Sequence, residues 1–254
     1  MIMGTAITIE VVDPDPGVDA RAVVEHAFAW FREVDERFST YKPDSEVSRM
    51  GRGELAAAGT SPDMRLVLDA CAELHTATNG YFDVYATGGF DPSGYVKGWS
   101  VRVASERMYA AGGRNHCVNA GGDIMVRGHA PGGGPWRIGI VHPWQADKVA
   151  WVLAAHDLGI ATSGTYERGP HVIDPFRGVP AEALCSVTVT GPDLAVADAY
   201  ATAALAMGDR GPAWLATLDG YESAVVTTDG RAMRSAGLPV ADPDPPATGP
   251  APSD

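Results

Sequence analysis

The sequence predicts an α+β fold in a single domain, and three features of the chain support this prediction. Segments with strand-like alternation and segments with helix-like spacing follow one another without the regular alternation of a doubly wound protein. No internal repeat with a period of about 20 to 50 residues is visible. At 254 residues the chain is long enough to bury a sizeable core. We expect the domain to span residues 1–236, and residues 237–254, which are rich in proline, alanine and aspartate, to form a disordered tail.

The first half of the chain predicts one strand and three helices. Residues 2–12 alternate well enough to form a strand, and the polar residues 38–50 predict a surface loop. Ser61-Pro62 is a typical start for a helix, and Gly80 is expected to end that helix. A further helix is expected from about residue 98 to 111. Apolar residues at spacings of three and four predict an amphipathic helix packed on a sheet: Val24, Phe28, Phe31, Val34 and Phe38.

The second half predicts most of the sheet. Residues 116–128 indicate two strands joined at Gly121-Gly122. A helix that carries Asp198 and ends at Gly208 precedes a short helix around Trp214. Asp229-Gly230 predicts the turn of a hairpin that begins with residues 223–228. Further strands are expected at residues 136–142, 149–156, 159–162 and 186–190.

Composition and charge exclude some functions. The net charge of −13 disfavours nucleic acids and anionic membranes as partners. An acidic protein that binds an anionic small molecule needs backbone amides, a basic residue or a metal ion at the site. The chain has no leader-like segment and no apolar run of about 20 residues, so we expect a cytoplasmic protein without a membrane span. Three cysteines at distant spacings predict reduced, buried thiols: Cys71, Cys117 and Cys185.

The stretch from Gly159 to Gly178 is the strongest candidate for a functional site. It reads GIATSGTYERGPHVIDPFRG and concentrates polar residues that a core would not require. Hydroxyls and backbone N–H groups are available at Ser163, Gly164 and Thr165. His171 can exchange a proton near neutral pH. The stretch therefore offers both anion-binding groups and a proton acceptor.

Two other segments complete the candidate site. The loop DPSGYVKG supplies a carboxylate at Asp91 and an ammonium at Lys97, and Gly94 lets its backbone approach a ligand closely. Asp198 and Thr202 stand four residues apart in a helix and so share one face. Their oxygens are hard ligands that suit Mg²⁺ better than zinc. We also expect the pocket to be lined by Asn119, Gly121 and Gly122.

The residues alone indicate a magnesium-assisted site for a phosphorylated ligand. Neither a Rossmann glycine fingerprint nor a P-loop is present. A metal-dependent phosphohydrolase fits the same residues equally well.

Seven segments, in order, resemble the ApbE family of FAD:protein FMN transferases. They cover nearly all of residues 3–208 and read MGT, FSTYKPDSEVSR, YFDV, DPSGYVKGW, NAGGDI, ATSGTYERG followed by HVIDPFRG, and ADAYATAALAMG. The resemblance implies one domain of mixed, largely antiparallel sheets flanked by helices. It also implies a Mg²⁺-dependent enzyme that attaches the FMN half of FAD to a serine or threonine of an acceptor protein and releases AMP.

The resemblance also implies roles for individual residues. Asp198 and Thr202 match the family's magnesium ligands, joined by the backbone carbonyl of Gly94. His171 matches the histidine that takes the proton from the acceptor hydroxyl, and it also belongs to the FAD site. The remaining contacts to the dinucleotide are expected at Met3, Tyr41, Phe82, Asp83, Asp91 and Lys97.

The chain departs from the family pattern in one segment. Only YATGGF separates Val84 from Asp91, where the family usually has a long insertion. We expect that region to shape the pocket over the dinucleotide or the acceptor's approach. Two alternatives therefore stay open: an FAD-binding or carrier protein without transfer, and an FAD pyrophosphatase that gives FMN and AMP. The absence of an export signal implies an acceptor that is cytoplasmic or faces the cytoplasm.

Overall fold

The computed structural model describes residues 1–165, 169 and 172–242, which form sheets flanked by helices. The strands are β1 (Ile7–Val12), β2 (Asn115–Ala120), β3 (Asp123–Arg127), β4 (Trp136–His142), β5 (Gln145–Ala155), β6 (Leu158–Gly164), β7 (Ile173–Asp174), β8 (Val179–Pro180), β9 (Leu184–Gly191), β10 (Glu222–Thr227) and β11 (Ala232–Arg234). Seven of them form one sheet in the order β1-β2-β3-β6-β9-β10-β11. β4 pairs with β5, and β7 pairs with β8. Every strand pairing in the described part of the chain is antiparallel.

Four of the six α-helices in the described part of the chain begin where a side chain caps their free N–H groups. The helices are α1 (Ala20–Phe38), α2 (Glu46–Gly51), α3 (Pro62–Ala77), α4 (Ser93–Ala110), α5 (Leu194–Met207) and α6 (Gly211–Leu215), with single 3₁₀ turns at Ala57–Gly59 and Gly208–Arg210. The capping side chains are Asp19 for α1, Ser45 for α2, Ser61 for α3 and Asp193 for α5. The described helices include none that is long and apolar enough to cross a membrane.

The central helix α5 organises the main core. It packs against α4 on one side and against β6 and β9 on the other. Its sequence LAVADAYATAALAM is apolar nearly all round, as expected for a helix enclosed by other elements. Asp198 is the charged residue in this helix, and only 2% of it is exposed. A buried carboxylate in such a helix indicates a functional site, because an unpaired buried charge is costly.

A smaller core lies beneath the β4–β5 pair, around Trp136, Ile138 and Leu153. Leu238 is buried in this cluster. Beside it, Ala154 N–H donates to Pro239 O at 2.8 Å, and Ala241 N–H donates to Val152 O at 2.8 Å. The packed chain therefore extends beyond the boundary predicted after residue 236. Residues 243–254 lie outside the described part of the chain.

The α+β prediction is confirmed, and three element boundaries are corrected. The strand predicted for residues 2–12 begins at Ile7, because Ile2 and Thr5 close a turn before it. Residues 46–51, predicted as loop, form α2, which Ser45 caps and whose Glu46 accepts a hydrogen bond from Ser61 N–H at 2.9 Å. The helix expected from residue 98 begins at Ser93, because Pro92 occupies the cap position and Asp91 accepts from Ser93 N–H. The cysteines are free thiols, of which Cys117 is only partly buried.

Candidate functional site

A cavity of about 560 Å³ opens between α1, the start of α4, α5 and the end of β6. The cavity is lined by all the described residues that the family resemblance implies for FAD and the metal: Met3, Tyr41, Phe82, Asp83, Asp91, Gly94, Lys97, Asp198 and Thr202. His171 lies outside the described residues, but Val172, the next residue, is in the cavity wall. Residues from opposite ends of the chain thus meet at one site of a size typical for small-molecule ligands.

The first turn of α4 lies directly against α5. A Cβ atom added to Gly94 would lie 3.4 Å from Thr202 Oγ1 and 3.4 Å from a ring carbon of Phe82. The Asp91 carboxylate accepts a hydrogen bond from Ser93 N–H at 3.0 Å and so fixes the turn that leads into the helix. The backbone of Gly94 and the hydroxyl of Thr202 are therefore held beside each other, as a shared ligand would require.

Asp198 reaches the cavity because α4 and α5 approach closely at Gly98. A Cβ at Gly98 would lie 2.7 Å from Leu194 O and 3.0 Å from Asp198 Cβ, so a larger residue would force the helices apart. The N–H of Gly98 donates to Asp198 Oδ2 at 3.1 Å. One turn further along α5, Thr202 Oγ1 lies 3.2 Å from Ser163 Oγ at the end of β6. The predicted shared face of Asp198 and Thr202 is present and faces the cavity.

Asp123, at the start of β3, is a component of the site that the sequence analysis missed. Its side chain is fully buried, and Oδ2 lies 2.8 Å from Lys97 Nζ. Its Oδ1 atom has no hydrogen-bond partner among the described residues. The signal in the sequence was a carboxylate directly after Gly121-Gly122 and before a buried strand. The pairing with Lys97 could not be read from that signal, because it joins two distant segments.

The electrostatics of the site are set by two buried carboxyl groups, Asp123 and Asp198. Burial raises the pKa of Asp198 well above its usual value, and the neighbouring Asp123 carboxylate raises it further, whereas Lys97 acts in the opposite direction. Two adjacent carboxyl groups therefore share one ammonium. No group of three or more His, Cys, Asp or Glu side chains suited to a metal is present in the described ranges. The available donors are instead carboxylate, hydroxyl and backbone oxygens, a set that fits a hard divalent cation such as Mg²⁺.

The Gly121-Gly122 bend lies outside the cavity wall, contrary to the sequence prediction. Asn119 Oδ1 accepts a hydrogen bond from Gly122 N–H at 2.9 Å and closes the β2–β3 turn. Gly121 has φ +59, and a Cβ there would lie 2.2 Å from Thr5 Oγ1. The role of these three residues is to build the turn that leads into Asp123.

The cavity wall also includes aromatic residues and part of the segment between Val84 and Asp91. Tyr41 is 94% exposed, whereas Phe82 is buried and donates its N–H to Thr78 Oγ1 at 2.9 Å. The segment between Val84 and Asp91 closes on itself, since Asp91 N–H donates to Val84 O at 2.8 Å. Ala86 and Thr87 of this segment line the cavity. The shortened segment therefore forms part of the wall.

The fold and the cavity define the class of protein: an α+β domain with an acidic, oxygen-rich site suited to a metal and an anionic ligand. Comparison with known proteins extends this result. Residues 3–89 and 86–225 match the model of the ApbE family. The chain belongs to the ApbE family.

Individual relatives agree with this assignment. The FAD:protein FMN transferase of Vibrio cholerae is 28% identical over 268 residues, which cover 82% of this chain and 80% of the relative. The solved structure of the flavin transferase ApbE from Vibrio cholerae matches with a TM-score of 0.81 and 26% identity, covering 93% of this chain and 95% of that one. An ApbE protein from Thermotoga maritima, at 22% identity and a TM-score of 0.82, shares the fold and covers 93% of this chain and 95% of its own.

Proposed function

We propose that this chain is a Mg²⁺-dependent FAD:protein FMN transferase, which transfers FMN from FAD to a serine or threonine hydroxyl of an acceptor protein and releases AMP. The observation that supports the proposal is that the residues expected to bind FAD and the metal line one cavity, which also contains the buried carboxyl group of Asp198. The transferases among the chain's relatives support the same activity.

The metal would be held by the carboxylate of Asp198, the hydroxyl of Thr202 and the backbone carbonyl of Gly94. When bound, Mg²⁺ supplies positive charge that stabilises the pyrophosphate and the phosphoryl group in transfer. A cation bound here would stabilise the ionised forms of Asp123 and Asp198, which without it share the single ammonium of Lys97.

Lys97 orients the diphosphate in this mechanism. Its ammonium is held against Asp123 while the side chain lines the cavity, so the charge is fixed in place before the ligand binds. The hydroxyls of Ser163 and Thr202 lie on the same wall and offer further hydrogen bonds to phosphate oxygens. Met3, Tyr41 and Phe82 provide the apolar and aromatic surface for the flavin part of the dinucleotide.

The reaction exchanges the phosphoanhydride bond between the two halves of FAD for a phosphoester bond to the acceptor. The acceptor oxygen forms a bond to the phosphorus of the FMN half, and the bond between that phosphorus and the oxygen bridging to AMP breaks. AMP departs with the electron pair. We assign the acceptor's proton to His171, whose neighbour Val172 is in the cavity wall. A histidine suits this role because it exchanges protons near neutral pH.

Two other activities of the same site are favoured by one observation, the short closed segment between Val84 and Asp91. If this segment does not accommodate an acceptor, the protein binds or delivers FAD without transfer. If water takes the place of the acceptor hydroxyl, the protein hydrolyses FAD to FMN and AMP. All three activities share the metal and the dinucleotide contacts.

The experiment that separates them follows both halves of FAD. The purified protein is incubated with FAD, Mg²⁺ and a panel of candidate acceptors, each paired with a variant whose acceptor Ser or Thr is changed to Ala. Transfer gives AMP together with flavin fluorescence on the denatured acceptor. AMP with free FMN identifies hydrolysis, and bound FAD without AMP identifies a carrier. His171→Ala is expected to abolish labelling while FAD binding is retained.

A further inference from the structure

Near the end of α1, one carboxylate joins two cavity segments that are distant in sequence. Asp35 Oδ1 accepts the backbone N–H of Met3 at 3.0 Å, and Asp35 Oδ2 lies 2.6 Å from Lys42 Nζ. Asp35 itself lines the cavity, as do Met3 and Tyr41. A single side chain thus links the N-terminal turn to the segment that follows α1.

The N-terminal turn needs such support because its backbone is strained. Ile2 and Thr5 exchange backbone hydrogen bonds at 3.1 and 3.2 Å, so the central residues of the turn are Met3 and Gly4. Both have positive φ, 52° for Met3 and 70° for Gly4. Glycine adopts this conformation readily, but a residue with a side chain does so at a cost. The hydrogen bond to Asp35 offsets that cost and fixes Met3 at the cavity.

The second link fixes the residue next to Tyr41. The Tyr41 side chain is 94% exposed, and its backbone N–H donates to Ser39 Oγ at 3.2 Å within the same segment. Lys42 ties this segment back to α1 through Asp35 and also through Glu36, whose carboxylate lies 2.6 Å from Lys42 Nζ. Glu36 is 73% exposed and is not part of the cavity wall, whereas the Asp35 side chain is 19% exposed.

We propose that Asp35 is a positioning residue for the dinucleotide, holding Met3 and Tyr41 in the arrangement that binds FAD. The proposal rests on the proposed function, since it takes FAD as the ligand of this cavity. Asp35 acts through the two segments that it joins and not through the residues of α5 that are proposed to bind the metal, Asp198 and Thr202. Its loss therefore affects the KM for FAD more than kcat.

The two links can be separated by substitution. Asp35→Asn keeps an oxygen that can accept the Met3 N–H but removes the charge that attracts Lys42. Asp35→Ala removes both links. Lys42→Met removes the second link from its other end. Glu36→Gln is the matched control, because Glu36 pairs with the same lysine but lies outside the cavity wall.

The dissociation constant for FAD, measured with Mg²⁺ present, is expected to rise in a graded way. Asp35→Asn and Lys42→Met each weaken binding by about two- to fivefold, the range of a partly exposed ion pair. Their double variant is no weaker than either single one, because both remove the same link. Asp35→Ala weakens binding by about tenfold or more, since a hydrogen bond to a charged group is also lost. Glu36→Gln stays within about twofold of the unmodified protein.

Three results would overturn the inference. The first is that Asp35→Ala binds FAD as tightly as the unmodified protein. The second is that the control, Glu36→Gln, weakens FAD binding as much as Asp35→Asn does. The third is that the effects of Asp35→Asn and Lys42→Met on the dissociation constant add in the double variant. A purely structural role predicts instead that each variant lowers Tm while folded protein keeps its FAD affinity. Failure of the unmodified protein to bind FAD is a separate result, which overturns the proposed function and this inference together.

Discussion

Replacement of Gly98 by alanine tests whether the contact between α4 and α5 sets the position of Asp198. The added Cβ would lie 2.7 Å from Leu194 O, about 0.7 Å closer than an ordinary contact of 3.4 Å. Because Leu194 O is a backbone atom inside a buried helix end, it cannot rotate away, and the two helices must separate. Overpacking of this kind costs about 1 to 3 kcal/mol, and the better helix propensity of alanine returns about 1 kcal/mol.

The effect of Gly98→Ala on function should exceed its effect on stability. A net loss of about 0 to 2 kcal/mol corresponds to a fall in Tm of a few degrees, roughly 2 to 4 °C for each kcal/mol in a domain of this size. The same Cβ would lie 3.0 Å from Asp198 Cβ and displace the carboxylate from Gly94 and Thr202. Misplacement by about 1 Å can reduce a rate on the order of 100-fold. We expect FAD turnover to fall by at least about tenfold.

The assay compares thermal denaturation with the Mg²⁺ dependence of AMP release from FAD. Gly51→Ala at the end of α2 is the matched control, because a Cβ there meets nothing within 4 Å. It should retain full activity. If Gly98→Ala keeps both its activity and its Mg²⁺ dependence, the close approach of the helices does not set the metal site, and this reasoning is refuted.

Three further predictions concern buried ionisable groups. Burial and the nearby Asp123 raise the pKa of Asp198, so the folded metal-free protein keeps a proton that the unfolded chain releases. Stability in EDTA should therefore fall as pH rises above about 4, and Asp198→Asn should reduce this fall and abolish stabilisation by Mg²⁺ in thermal denaturation. Asp123→Asn removes the carboxylate charge that lies 2.8 Å from Lys97 Nζ and should weaken Mg²⁺-dependent FAD binding by about 10- to 100-fold, measured by titration. Burial lowers the pKa of His116, whose Nδ1 lies 2.6 Å from Gly113 O. Its contribution to stability is full above pH 6.5 and is lost below that value, as pH falls through the lower pKa of the folded state, so His116→Asn should reduce the fall in Tm between about pH 7 and 5.

Features set by neighbouring residues could be predicted from the sequence. Ser61-Pro62 marks the start of α3 because a cap and a first-turn proline act within one turn of helix. The common face of Asp198 and Thr202 follows from helical spacing alone. Met3 and Tyr41, which line the cavity, were implied by the family resemblance of the short segments that contain them.

Features set by contacts between distant segments could not be predicted in the same way. Asp35 has the sequence context of a solvated helix surface, and its role depends on Met3, 32 residues earlier in the chain. Asp123 gains its significance only when the fold places Lys97 and Asp198 beside it. Amino-acid composition also failed to predict that the chain stays packed beyond residue 236, where a single leucine, Leu238, is buried in the smaller core.

The most direct test of the central claim is a titration of the purified metal-free protein with FAD, with Mg²⁺ and with EDTA, alongside Asp198→Ala. The account predicts saturable binding that weakens when the metal is removed and weakens equally in the variant. Absence of saturable binding under either condition, or an affinity that is the same with Mg²⁺, with EDTA and in the variant, would contradict it.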